Sequence, residues 1–269
     1  MRHFLFPPAF GFSILLLTGA LDRETLFSNP SAQGAFVPQS DAFGAGRLLD
    51  EVLAAYSPQR IQWLEMNVRQ KMWGEDPFDA SGRYVLGTQE RMLLDMEIAV
   101  DGKTTRTLVF SDGKEFQKSR EVDGVKTILE SCALAKAEDF PNPASLAAAR
   151  REFLYQHGFG GLFPLLRQIS TCLVNPTQQT GLWHERRVLR VSGYWNAADA
   201  VLNTLPENLR ARSCNLYLDP ETLWPHRIEW IGSEKPNDHQ VILLEMEFSD
   251  AAINRPMTEQ ECGRVFRFE

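Results

Sequence analysis

The chain has 269 residues, with 28 Lys and Arg against 35 Asp and Glu, a formal net charge of −7 at pH 7, and 43% hydrophobic residues. That is enough for one large or two small domains, and no Pro/Ser/Gly-rich linker divides the strand-like series, so one domain is expected. The acidic balance, with no cluster of Lys and Arg interleaved with aromatics, excludes a nucleic-acid partner; Arg150-Arg151 and Arg186-Arg187 are isolated pairs that read as solvated element ends, with anionic headgroup contact the alternative.

Arg2 precedes an uncharged run over residues 3–20, with Ile14-Leu15-Leu16-Leu17 inside it and Thr18-Gly19-Ala20 at its end. Small residues behind a short apolar run are the layout of a secretory signal. The sequence predicts a signal over residues 1–20, a flexible leader over 21–44 mixed with Pro, Ser, Gly and Gln, and a single domain over 45–269. An uncleaved N-terminal anchor is the alternative, and with no cysteine near Ala20 a lipid-modified terminus is not expected.

Residues 45–56 carry Leu48, Leu49, Val52 and Leu53 at helical spacing, ended by Ser57-Pro58. Residues 60–73 alternate, with Leu64, Met66, Val68 and Met72 on one side and Gln62 and Gln70 interrupting them. Residues 91–100 alternate more regularly: Met92, Leu94, Met96 and Ile98 oppose Arg91, Asp95 and Glu97, the pattern of a half-buried strand. Asp-Gly steps at 101–102, 112–113 and 123–124 then predict hairpin turns around strands at about 104–110 and 115–120, an antiparallel meander. Helices are expected over 143–157, 162–171 and 197–202, with Gly158-Phe159-Gly160-Gly161 as a helix cap and tight turn.

Residues 214–269 read as strands at 214–218, 224–230 and 241–248, separated by Asp219-Pro220-Glu221-Thr222 and a turn over 232–238. Ile242, Leu244, Met246 and Phe248 share one face of the last of these, with Glu245 and Glu247 on the other. A loop with Asn254 and Pro256 leads to a final short strand at 265–268. Strands before, between and after a few helices, without βαβ alternation, make the class α+β.

Chemistry-bearing constellations are sparse. His157, His184, His226 and His239 are never three to five residues apart, and no nucleophile elbow, dinucleotide fingerprint or phosphate-binding loop occurs. The acid pairs Glu245/Glu247 and Asp95/Glu97 read as the solvent faces of strands, so no catalytic residue, metal or cofactor is expected and an envelope hydrolase is the weakest reading. Cys132, Cys172, Cys214 and Cys262 include no Cys-x-x-Cys pair. In an exported chain they permit two disulfides, Cys132 to Cys172 and Cys214 to Cys262 among the possible pairings, with buried free thiols the alternative.

Three C-terminal pieces, "LYLDPETLWPHRIEW", "LLEMEFSDAAIN" and the final Phe-x-Phe, together with "LVFSDGKEF" at 108–116 and "GFGGLFPLL" at 158–166, resemble the periplasmic lipoprotein carrier family, the LolA-like proteins. The resemblance spans roughly residue 42 to the end. It implies a strongly curved antiparallel sheet, an incomplete barrel, with a few helices over its concave side and a hydrophobic cavity between them. It also implies a strand arginine coupling lid to sheet, for which Arg69 and Arg91 are the two candidates.

Alternation then selects a cavity wall of Leu64, Met66, Met92, Leu94, Met96, Leu108, Phe110, Leu244, Met246 and Phe248, with Leu162, Leu165 and Leu166 on the lid. Methionine's flexible thioether suits variable apolar ligands as well as irregular cores. The expected function is a monomeric binding protein of the periplasm or cell envelope, not an enzyme, that shields a lipid or the acyl chains of a lipoprotein. The alternative is an envelope-stress sensor or interaction module of the same fold, signalling to a membrane-protein partner.

Overall fold

A computed structural model describes residues 36–39, 42–73, 77–100, 103–157, 162–196, 211–233 and 240–267. The expected signal, residues 21–35 of the leader, the 158–161 turn and the 197–202 helix lie outside the described residues.

Twelve strands form one antiparallel sheet: β1 (Phe36–Gln39), β2 (Leu64–Met72), β3 (Phe78–Leu86), β4 (Arg91–Val100), β5 (Lys103–Asp112), β6 (Glu115–Val122), β7 (Val125–Ala133), β8 (Leu173–Trp183), β9 (Arg186–Trp195), β10 (Ser213–Leu218), β11 (Pro225–Ser233) and β12 (Gln240–Ile253). Their order is β1-β8-β9-β10-β11-β12-β2-β3-β4-β5-β6-β7, so β1 and β7 are the two edges. Among the described residues four α-helices accompany them: α1 (Ala42–Ala55), α2 (Pro143–His157), α3 (Leu162–Cys172) and α4 (Glu259–Val265).

Short connections order the meander β4 to β7; the expected turn at 101–102 lies outside the described residues. Val100 pairs with Lys103 across the first connection, and Asp112 caps the second by accepting from the N–H groups of Lys114 and Glu115 at 2.7 and 2.8 Å. Asp123 and Gly124, at φ 52° and 77°, close the third in the left-handed region that such tight hairpins require. Asp219 performs the same service between β10 and β11, accepting from Glu221 N, Thr222 N and Thr222 Oγ1.

Strands β2 to β6 and β8 to β12 all send buried residues into one apolar cluster with α1, α2 and α3. A flat twelve-stranded sheet would be about 50 Å wide, too broad for three helices to cover, so the sheet curls around them. Gly82 marks the tightest approach: a Cβ there would lie 1.9 Å from the Asp95 carbonyl oxygen of the next strand. At the other end of the arc α1 lies against β8 and α3. Tyr56, just past α1, donates to the Thr222 carbonyl at 2.7 Å and meets Trp224 edge-on.

Several expectations are corrected. Over its described residues, 265–267, the run expected at 265–268 is not a strand, because Thr258 and Glu261 form a capping box that starts α4 instead: Thr258 Oγ1 accepts from Glu261 N at 3.2 Å, and Thr258 N donates to Glu261 Oε2 at 2.8 Å. Its Phe266 joins Val85 and Phe110 in a small second core on the outer face. Within the expected leader, Phe36–Gln39 pairs with β8. Cys132, Cys214 and Cys262 are free thiols. Cys214 lies in the main core and Cys262 against the outer one, so the sheet separates them.

Candidate functional site

The concave face is built by strand parity. Successive rows run across it, Leu64–Leu86–Met92, Met66–Tyr84–Leu94 and Phe248–Val68–Gly82–Met96, as the register of β12, β2, β3 and β4 dictates. Of the wall residues expected from sequence, Leu64, Met66, Met92, Leu94, Met96, Leu244, Met246 and Phe248 are buried in the main cluster. Leu162, Leu165 and Leu166 of α3 are buried in the same cluster, together with Ile169. Phe153 of α2 meets Phe116 of β6 edge-on at 5.4 Å.

Leu108 and Phe110 do not belong to this face. Val100 pairs with Lys103, so Leu94 faces Val109 and Met96 faces Thr107, which sends Leu108 and Phe110 to the outer side. Ile242 is also displaced: an irregularity puts Ile231 opposite Ile242 but Trp230 opposite Leu244, so Ile242 and Leu244 leave on opposite faces.

Neither arginine candidate reaches the concavity. Arg69 alternates outward and pairs with Asp79 at 2.8 Å, and Arg91 lies on the parity opposite Met92. The concave face does hold polar groups. Gln70 on β2 and Thr107 on β5 are buried among apolar neighbours, and Gln70 Nε2 and Thr107 Oγ1 have no hydrogen-bond partner among the described residues. Gln70 announces itself in the sequence by breaking an otherwise apolar alternation. Thr107 sits in a strand whose alternation is too weak to reveal its face.

The outer face carries a buried ionic network where sequence suggests solvated acids. Arg227, only 7% exposed, lies 2.7 Å from Glu229, 2.6 Å from Glu245 and 3.1 Å from Glu247. Tyr217 Oη and Asn215 Nδ2 both donate to Glu229 at 2.9 Å, and Ser192 Oγ donates to Asn215. Trp183 and Tyr217 present their rings to the guanidinium. Burial pushes the Glu245 carboxyl above its ordinary range, with Arg227 opposing the shift. Because each charge has partners on neighbouring strands, the network ties β10, β11 and β12 together.

A separate pocket of about 240 Å³ lies beside α4, lined by Trp63, Leu64, Glu65, Arg83, Met257 and Glu261 among others. Glu65 and Arg83 pair there at 2.8 Å, so its polar wall is internally neutralised.

No protein-family model and no curated protein matches the chain. Among solved structures it is similar to LprF from Mycobacterium bovis, at 15% identity over 82% of this chain and 96% of that one with a TM-score of 0.40. It is also similar to a LolA superfamily protein from Nitrosomonas europaea, at 9% identity over 83% and 97% with a TM-score of 0.25. MucB is a third, at 14% identity over 82% and 62% with a TM-score of 0.33. At such identities the likeness lies in the course of the backbone, and the functional reading rests on this chain's own residues.

Proposed function

We propose that the protein is an exported binding protein of the cell envelope that shields a lipid or a lipoprotein's acyl chains between the curved sheet and α3. The observation that carries this reading is the character of the lid contact. Leu162, Leu165, Leu166 and Ile169 are buried in one apolar cluster with Met66, Met92 and Met246. Contacts of that kind are non-directional, so an acyl chain can replace them one for one when α3 lifts. Each buried methylene is worth about 0.8 kcal/mol, enough for a long chain to compete with the lid's own side chains. No described helix is long and apolar enough to cross a membrane.

The test is native mass spectrometry of the mature protein from a bacterial envelope, with lipid extraction and uptake of a fluorescent acyl probe. A bound acyl species is expected, and it is lost in Leu94→Asp or Leu244→Asp. A clean apo mass with no probe uptake would mean that the face is simply core. One observation favours the second reading, an interaction module: edge strand β7 leaves Val125 67% and Ile128 56% exposed. A bare edge with apolar side chains suits pairing with another chain.

A further inference from the structure

Polarity on the concave face rises toward the β6 side of the sheet. Met66 and Val68 of β2 and Leu94 and Met96 of β4 are apolar, but β5 contributes Thr105 and Thr107 beside Val109, and β6 follows Phe116 with Lys118 and Arg120. Val109 and Phe116 lie in the main cluster, and the unbroken β5–β6 register carries their parity to Thr107, Lys118 and Arg120. Thr107 is 4% exposed, and its Oγ1 has no hydrogen-bond partner among the described residues. A buried polar group left unpaired costs more than an ordinary hydrogen bond returns, so in a ligand-binding face it marks where a ligand atom completes it. Directly opposite Thr107 stands Arg120, whose neighbour on β7 is Thr127, so a hydroxyl and not an acid flanks Arg120 on each side. The nearby acids face other groups: Glu121 leaves on the outer face toward Arg106, and Glu130 lies opposite Lys118.

We propose that the bound lipid carries a singly charged oxyanion headgroup, held by Thr107 of β5 and by Lys118 and Arg120 of β6, while its acyl chain runs back toward β2; this rests on the lipid-binding reading above. The three side chains are close enough to share one anion. Thr107 and Arg120 are a direct cross-strand pair with Cβ atoms about 5 Å apart, and Lys118 stands two residues along β6 on the same face, about 7 Å away. Both cations have stems long enough to close that gap, and the hydroxyl turns its proton to the nearest anion oxygen. Hydrogen bonds of this charge-assisted kind are about twice as strong as neutral ones. Lys118 and Arg120 against Glu130 leave one positive charge on the face, which a headgroup with a single negative charge neutralises. Burial pushes the Lys118 ammonium below its ordinary pKa, with Glu130 opposing the shift, and a bound anion favours the charged form further. Lys118 shares its row with Val109, Leu94, Tyr84 and Met66. From β6 to β2 along that row is at most about 19 Å, within the length of an extended long acyl chain.

The experiment is displacement of N-phenyl-1-naphthylamine from the full mature chain by monopalmitoylglycerol and by palmitoyl lysophosphatidylglycerol, the same acyl chain without and with a phosphodiester. The phosphodiester lipid is expected to bind about tenfold more tightly, the worth of one net hydrogen bond to a charged group. Arg120→Gln and Lys118→Gln each erase most of that preference, Thr107→Val narrows it, and all three leave monopalmitoylglycerol binding unchanged, which shows that the face is still formed. Equal binding of the two lipids by the wild-type chain overturns the proposal while leaving lipid binding intact, as does a preference that survives Arg120→Gln or a variant that loses both lipids together. Inorganic phosphate separates the sources. If it displaces lysophosphatidylglycerol at the lipid's own concentration, the site takes a free anion and the headgroup assignment is overturned, whereas displacement only at far higher concentration supports it. Failure of the chain to take up any probe removes the lipid-binding reading and the proposal with it.

Discussion

Glu245 illustrates how a residue's chemistry depends on its surroundings. Alternation places it correctly on the outer face, yet there it is buried beside Arg227 rather than solvated. Its carboxyl titrates above the ordinary Glu range because burial disfavours the charge. The folded chain therefore holds this proton more tightly than the unfolded chain does. Stability falls as pH rises from the ordinary value through the raised one, and the loss persists above it. Glu245→Gln is expected to flatten that limb, read as a smaller decline in urea midpoint as the pH rises above the ordinary Glu value. An unchanged slope would place the titrating group elsewhere. Arg227 keeps Glu229 and Glu247 in the variant, so the network is thinned and not broken.

At the level of elements, two short features decide local geometry. The capping box at Thr258 holds α4 over Val85 and Phe110. Thr258→Ala is expected to cost about 1 kcal/mol, seen as a shift in denaturation midpoint at constant m-value. Gly82 sets the closeness of β3 to β4. Gly82→Ala forces a Cβ against backbone, which cannot swing aside as a side chain would, and a loss of roughly 1–3 kcal/mol or more is expected. A neutral Gly82→Ala would show that the strands bend somewhere else. The element that sequence reasoning passed over most completely is the β8–β9 hairpin, whose β8 offers only Val174, Leu182 and Trp183 among polar residues after Leu173. An edge-side strand with few apolar positions gives alternation little to register.

For the molecule as a whole, the open sheet has a consequence at each edge. β1 covers β8, whereas β7 is an exposed strand with Val125 and Ile128 in solvent. Ile128→Lys is expected to change stability by no more than about 0.5 kcal/mol, because the side chain leaves no core contact behind. If β7 pairs with another chain, the same change weakens that association, read by light scattering or by pull-down with an envelope fraction. Unchanged association would direct attention back to the concave face. The two faces thus separate the two functional readings, the inner one by lipid uptake and the outer edge by partner capture.

The amino-acid sequence by itself determined what depends on near neighbours. The Asp-Gly meander, the Asp219 turn, the α+β class, helices α1 to α3 and most of the concave parity follow from turn chemistry and alternation, which act over a few residues. Only the tertiary structure decided what depends on register and on covering elements. A one-residue shift across a hairpin moved Leu108 and Phe110 to the outer face, and an irregularity did the same to Ile242. Burial of Glu245, the contrast between Gln70 as an interruption and Gln70 as an unpartnered donor, and the helix end at Val265 and Phe266 all rest on residues far apart in sequence or on a cap that competes with alternation. The physical reason is that side-chain period constrains direction along one strand, whereas the identity of what lies opposite is set by pairing and packing between strands.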